Sequence, residues 1–128
     1  MASANRILIV EDEDVLAENL KAFLGRHAPD VRIAADGEKA IEMIETFAPD
    51  VVVLDYRLPQ INGIRAYGEM VRRRARQVGC VLITGYPLET VAAAAKERGI
   101  DHLLCKPFSF SELQQLVERS AEEKTGSE

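Results

Sequence analysis

Residues 51–59 read Val-Val-Val-Leu-Asp-Tyr-Arg-Leu-Pro, and this stretch decides the fold. Four apolar residues stand in a row, three of them β-branched, with no polar alternation. A strand with one wet face alternates, whereas a strand covered on both faces does not, so 51–54 reads as a strand of a buried parallel sheet. Working outward, similar runs lie at 6–10, 31–34, 80–83 and 100–105, each four to six residues long and rich in Val, Ile and Leu. Amphipathic stretches separate them. Leu16, Leu20, Phe23 and Leu24 share a face of the first, Ala40, Ile41, Ile44 and Phe47 of the second, and Ile64, Tyr67 and Val71 of the third. Asp36 is placed to cap the second helix, and Pro49 lies just past its end. The fourth, 88–98, is alanine-rich and stops at Gly99. The fifth opens on the capping box Ser109-x-x-Glu112 and aligns Phe110, Leu113 and Leu116. Strand then helix, five times over, predicts an α/β domain with right-handed crossovers.

The whole chain bounds what this domain does. Its 128 residues suffice for one domain and for a core that needs no metal or disulfide staple. We expect the domain to occupy 1–121 and the polar stretch 122–128 to be a frayed tail or the start of a linker. Sixteen Lys and Arg against 21 Asp and Glu leave a net charge of −5, which argues against a domain that grips nucleic acid or anionic membrane. No apolar run approaches the roughly 18 residues of a membrane span, and the apolar run at 6–10 is too short for a signal peptide. A cytoplasmic location is the expectation. Cys80 and Cys105 lie in apolar segments and are expected to be buried, reduced thiols at opposite ends of neighbouring strands, offset by ~10 Å.

In a parallel α/β sheet, ligands bind beyond the C-terminal ends of the strands. The residues at those ends are Glu11, Asp12 and Glu13 after the first run, Asp55 after the third, Thr84 after the fourth, and Lys106-Pro107 after the fifth. The second run ends on nothing comparable. Clustered carboxylates raise one another's pKa unless a cation sits among them. Oxygen donors alone point to a hard cation, and Mg²⁺ fits because it takes few carboxylates and keeps positions for water or phosphate oxygens. No His or Cys stands at zinc-ligand spacing. Lys106 adds the positive charge that a phosphoryl group needs.

Four motifs in order, 7–13 (Ile-Leu-Ile-Val-Glu-Asp-Glu), 53–59 (Val-Leu-Asp-Tyr-Arg-Leu-Pro), 82–85 (Leu-Ile-Thr-Gly) and 106–108 (Lys-Pro-Phe), make the chain resemble the response-regulator receiver domain of two-component signalling. The resemblance runs from Arg6 to about Arg119. It implies a flavodoxin-like (βα)5 fold with a five-stranded parallel sheet in order 2-1-3-4-5 and helices on both faces. It further implies that Asp55 is the phosphoacceptor, and that Glu11, Asp12, Asp55 and the backbone carbonyl of Arg57 hold Mg²⁺. Thr84 and Lys106 would contact the phosphoryl oxygens, and the Lys106–Pro107 bond would be cis. Asn62-Gly63 stands where the family usually has Asp-Gly. The implied partner is a sensor histidine kinase or a histidine phosphotransfer protein. The domain would then be a switch that catalyses only its own phosphorylation and dephosphorylation, with dimerisation on phosphorylation left open.

Some positions depart from that pattern. Glu11 replaces the more usual Asp, which a small retreat or a water bridge would accommodate. Leu103, three residues before Lys106, replaces the usual Tyr or Phe that turns inward on activation; His102 beside it faces the other way by strand alternation. Tyr86, in the loop after Thr84, is a candidate substitute. Arg57 and Tyr86 flank the site, and either shield the acyl phosphate or point into solvent until a partner docks. Arg72, Arg73, Arg74 and Arg76 complement the negative end of the third helix or form a solvated face, and His27 and His102 read as surface or helix-end residues. Alternative readings are the N-terminal receiver of a longer DNA-binding regulator, a degenerate receiver serving only as an interaction module, and a hydrolase of small phosphates. The last needs a general acid near Asp55 that Tyr56 and Arg57 do not supply. No Gly-rich nucleotide-binding loop occurs.

Overall fold

The computed structural model describes residues 4–74 and 78–125. Its elements alternate: β1 (Arg6–Val10), α1 (Asp14–Leu24), β2 (Asp30–Ala34), α2 (Gly37–Phe47), β3 (Val51–Asp55), α3 (Gly63–Arg73), β4 (Gly79–Thr84), α4 (Leu88–Glu97), β5 (His102–Cys105) and α5 (Phe110–Thr125). All neighbouring strands are parallel, in the order β2-β1-β3-β4-β5.

The apolar run of β3 divides its side chains between two cores. Val51 and Val53 join Ile7, Ile9, Val81 and Ile83 in packing against Leu20 and Leu24 of α1 and Leu113 and Val117 of α5. Val52 and Leu54 join Leu8, Val10, Cys80 and Leu82 against Ile44 of α2, Ala66 and Met70 of α3, and Val91 and Ala95 of α4. Both faces are therefore dry, which is why the strand shows no polar alternation.

Local signals set the helix ends. The Asp36 carboxylate accepts from Lys39 N at 2.8 Å and caps α2, and Asn62 Oδ1 accepts from Arg65 N at 2.9 Å and caps α3. The α5 capping box is reciprocal, with Glu112 N on Ser109 Oγ at 3.0 Å and Ser109 N on Glu112 Oε1 at 3.3 Å. Gly99, at φ +82°, ends α4, and the following Ile100 N donates to Ala95 O at 3.0 Å. That bond shortens the fifth strand from the expected 100–105 to His102–Cys105, because Ile100 is spent on terminating the helix.

At the other end, α5 runs through 122–125, expected to be part of a frayed tail. Ser120 and Ala121 are buried one turn earlier, and Glu123 Oε1 lies 2.8 Å from His102 Nε2. His102 is thus largely covered on the α5 side rather than a surface residue, while His27 is exposed beside the Phe23 ring. Cys80 is buried, but Cys105 is only half-buried, since β5 opens there toward the surface. Cys105 is level with Thr84, four positions along β4 from Cys80, so the two thiols stand well apart. In the arginine cluster, Arg72 pairs with Glu69 at 2.8 Å and Arg74 Nη1 donates to Pro49 O at 2.8 Å; Arg76 lies outside the described residues.

Candidate functional site

Parallel register brings the strand-end residues together. Val10 is level with Leu54, so the next residues, Glu11 and Asp55, emerge side by side. Glu11 N continues the pairing to Ala34 O at 3.1 Å. Lys106 N donates to Thr84 O at 2.8 Å, and the Lys106–Pro107 peptide is cis, as expected. The Lys106 ammonium reaches Asp55 Oδ2 at 3.1 Å and stands 3.9 Å from Glu11 Oε1. Asp55 Oδ1 accepts from Arg57 N at 3.1 Å. Asp12, Glu13, Asp55, Arg57, Gly85 and Lys106 line an open cleft of about 340 Å³.

Carboxylate oxygens of Glu11, Asp12 and Asp55 all lie within 4.8 Å of one another. Asp12 is exposed at the mouth, whereas Glu11 and Asp55 are 2% and 5% exposed. Glu11 Oε2 accepts from Glu13 N at 3.1 Å, but its buried Oε1 meets no hydrogen-bond donor among the described residues. Burial pushes the Glu11 carboxyl up to about 7, with the Asp55 charge adding to the rise and the Glu13 N–H opposing it. Burial pulls the Lys106 ammonium down, yet its bond to Asp55 and the charges of Asp55, Glu11 and Glu13 outweigh this and raise it. A buried orphan oxygen inside an all-oxygen donor set fits a hard divalent cation, so the cluster is compatible with Mg²⁺ coordination.

The remaining residues are less uniform. Thr84 is fully buried, absent from the cleft lining, and its Oγ1 accepts from Tyr86 N at 2.9 Å. Arg57 is exposed at the cleft, and Tyr86, 39% exposed, sets its ring edge-on to Tyr56. Leu103 is level with Leu82 and packs against the α2–α3–α4 core, opposite to His102. Three residues named in the sequence contribute in ways that the sequence did not assign to them. Glu13 serves through its N–H; Gly63 lets α3 approach so closely that a Cβ there would fall 2.4 Å from Asp55 O; and Tyr56 backs Tyr86. Gly63 left a signal in its pairing with Asn62 and Glu13 in its place at the end of the first apolar run, but neither told how the residue acts.

Fold and cleft together define a small doubly wound α/β domain that gathers an acidic cluster able to take a divalent cation, with a lysine against one of its carboxylates. Residues 7–118 match the family described as the response regulator receiver domain, and the chain belongs to that family. It is therefore a phosphorelay receiver, a switch domain rather than an enzyme acting on an outside substrate. It is 34% identical over 121 residues to the regulatory protein AtoC of Escherichia coli, covering 94% of this chain and 26% of that protein. It is 32% identical over 118 residues to the transcriptional regulatory protein PdtaR of Mycobacterium tuberculosis, covering 91% and 57%. The chain thus spans well under two thirds of the length of these relatives. The crystal structure of a CheY-like receiver domain protein from Methanospirillum hungatei shares the fold, with a TM-score of 0.88 at 23% identity over 98% of this chain and 100% of that one.

Proposed function

We propose that Asp55 accepts a phosphoryl group from a phosphohistidine on a sensor histidine kinase or a histidine phosphotransfer protein. The observation that carries this reading is the Lys106 ammonium 3.1 Å from Asp55 Oδ2, beside carboxylate oxygens of Glu11 and Asp12. A carboxylate oxygen of Asp55 attacks phosphorus, the P–N bond to the donor imidazole breaks, and that imidazole leaves with the electron pair. Lys106 then neutralises a phosphoryl oxygen, and the Thr84 hydroxyl donates to another once it turns toward the cleft. Glu11, Asp12, Asp55 and the carbonyl of Arg57 would hold Mg²⁺, which supplies charge neutralisation for the transferring group. Water later cleaves the acyl phosphate, a step that Arg57 at the cleft, with Tyr86 next to the cleft-lining Gly85, would slow by shielding it.

Val15, 75% exposed on the first turn of α1, stands two residues after Glu13 of the cleft lining and offers a partner an apolar contact there. We place the domain in the cytoplasm, where phosphohistidine donors occur and thiols such as Cys105 stay reduced. Among the described residues, no helix is long and apolar enough to cross a membrane. A second reading, that this is the receiver portion of a longer DNA-binding regulator, is favoured by the length of its relatives, one of them named a transcriptional regulatory protein. The domain itself, at −5, would leave nucleic acid to another part of such a chain. An interaction module without phosphorylation is disfavoured, because the acids and the lysine are assembled at contact distance. Intact mass after incubation with Mg²⁺ and acetyl phosphate tests the proposal. One phosphoryl group on the wild type, absent in Asp55→Asn, supports it; a wild type that stays unmodified with both acetyl phosphate and phosphorylated kinases overturns it.

A further inference from the structure

The turn between β4 and α4 holds an arrangement that phosphoryl chemistry alone does not need. The Thr84 hydroxyl oxygen is tied to the backbone N–H of Tyr86 at 2.9 Å, and the Tyr86 ring stands edge-on to Tyr56, with centroids 5.8 Å apart and planes at 83°. Tyr56 is anchored at its backbone, its N on Ile83 O at 2.8 Å and its O accepting from Gly63 N at 2.7 Å. Its half-buried side chain helps line a cavity of about 200 Å³ between α3 and α4, shared with Ile64, Ala94, Glu97 and Arg98. A continuous series of contacts therefore runs from the buried hydroxyl beside the acidic cleft to the α3–α4 cavity on another face.

We propose that Tyr86 is a positioning residue that couples the Thr84 hydroxyl to the α3–α4 cavity through the ring of Tyr56. The inference rests on Asp55 being the phosphoacceptor. A hydroxyl has one proton and two lone pairs, and here its oxygen accepts from Tyr86 N, while Thr84 is not among the residues that line the cleft. Donating to a phosphoryl oxygen on Asp55 requires the Thr84 side chain to rotate toward the cleft, which stretches or breaks its bond to Tyr86 N. The turn has room to follow: Gly85 is exposed, and a Cβ built on it meets nothing within 4 Å. Shifting the Tyr86 backbone draws its ring off the Tyr56 edge, and Tyr56 is released to reset the cavity wall. Leu103 has neither a ring for Tyr56 nor a polar atom for Thr84, and it is level with Leu82 rather than Thr84.

Beryllium fluoride with Mg²⁺ provides a phosphoryl stand-in that water does not remove, and backbone amide NMR shifts read the response. In the wild type, the amides of Ala94, Glu97 and Arg98 should shift together with those of Asp55 and Thr84. In Tyr86→Ala and in Tyr56→Leu, the Asp55 and Thr84 amides should still respond while the three cavity amides keep at most a third of their wild-type displacement. Tyr86→Phe, which keeps the ring, should restore it, and Leu103→Ala should leave it in place. Full displacement at the cavity in Tyr86→Ala overturns the coupling, as does a wild type that responds at Asp55 but not at the cavity. A wild type that is silent at Asp55 itself overturns the phosphoacceptor reading instead, so the two failures are told apart.

Discussion

Glu11 shows at the scale of one residue how a binding site opposes stability. Its carboxyl titrates at about 7 in the folded chain against an ordinary 4.5, because burial disfavours the anion. Between those values the folded state keeps a proton that the unfolded state has released, so stability falls as pH rises through this window. The contribution is whole below about 4.5 and gone above about 7, a span of roughly 3 kcal/mol. In EDTA, Glu11→Gln should therefore unfold at higher urea than the wild type at pH 8, and the gap should close by pH 4.5. A gap independent of pH would contradict this cause. If Arg57 and Tyr86 shield the acyl phosphate, as proposed, replacing both by alanine should speed its loss by roughly fivefold, about 1 kcal/mol of barrier. Phosphate release followed by mass would show it, and an unchanged rate would mean that both side chains stand clear of attacking water. Glu11, Asp55 and Lys106 were legible because each directly follows an apolar run. The direction of the Thr84 hydroxyl was not, since a turn chooses the partner of a hydroxyl and leaves no periodic mark.

Elements were read well wherever a side chain sets the boundary, as Asp36 does for α2 and the Ser109–Glu112 box for α5. They were misread where a backbone bond or a distant contact decides. Ile100 looks like strand but closes α4, and the polar end of α5 looks like tail but is held near β5 by Glu123 on His102. Removing the α2 cap in Asp36→Ala should cost about 1 kcal/mol by urea unfolding. The approach of α3 to β3 is a sharper test. Alanine at position 63 would put a Cβ 2.4 Å from Asp55 O, whereas at position 85 it meets nothing. Gly63→Ala should therefore destabilise by about 2 kcal/mol and weaken phosphorylation by displacing Asp55. Gly85→Ala should stay within about 0.5 kcal/mol of the wild type. Equal costs would show that the α3–β3 approach yields easily.

For the whole molecule, alternation of strands and helices was enough to predict a parallel sheet with both faces covered, because unbroken Val and Leu runs have no other stable home in water. Strand order was not derivable from those runs; it came from resemblance, since register between strands far apart in sequence leaves no local trace. The contact between Tyr56 and Tyr86 was out of reach for the same reason, joining two loops that follow different strands. What the fold does with its charges is gather acids from the ends of β1 and β3 around one lysine from beyond β5, on a sheet edge where helices leave a cleft. We propose that this gathering makes Asp55 the acceptor. That role is tested most directly by treating the Mg²⁺- and acetyl phosphate-loaded chain with borohydride, which reduces an acyl phosphate to an alcohol, and sequencing the peptide that spans Asp55 by mass spectrometry. The expected result is an alcohol at position 55 that disappears when Mg²⁺ is chelated. An alcohol at Asp12 or another carboxylate, with Asp55 intact, would contradict it.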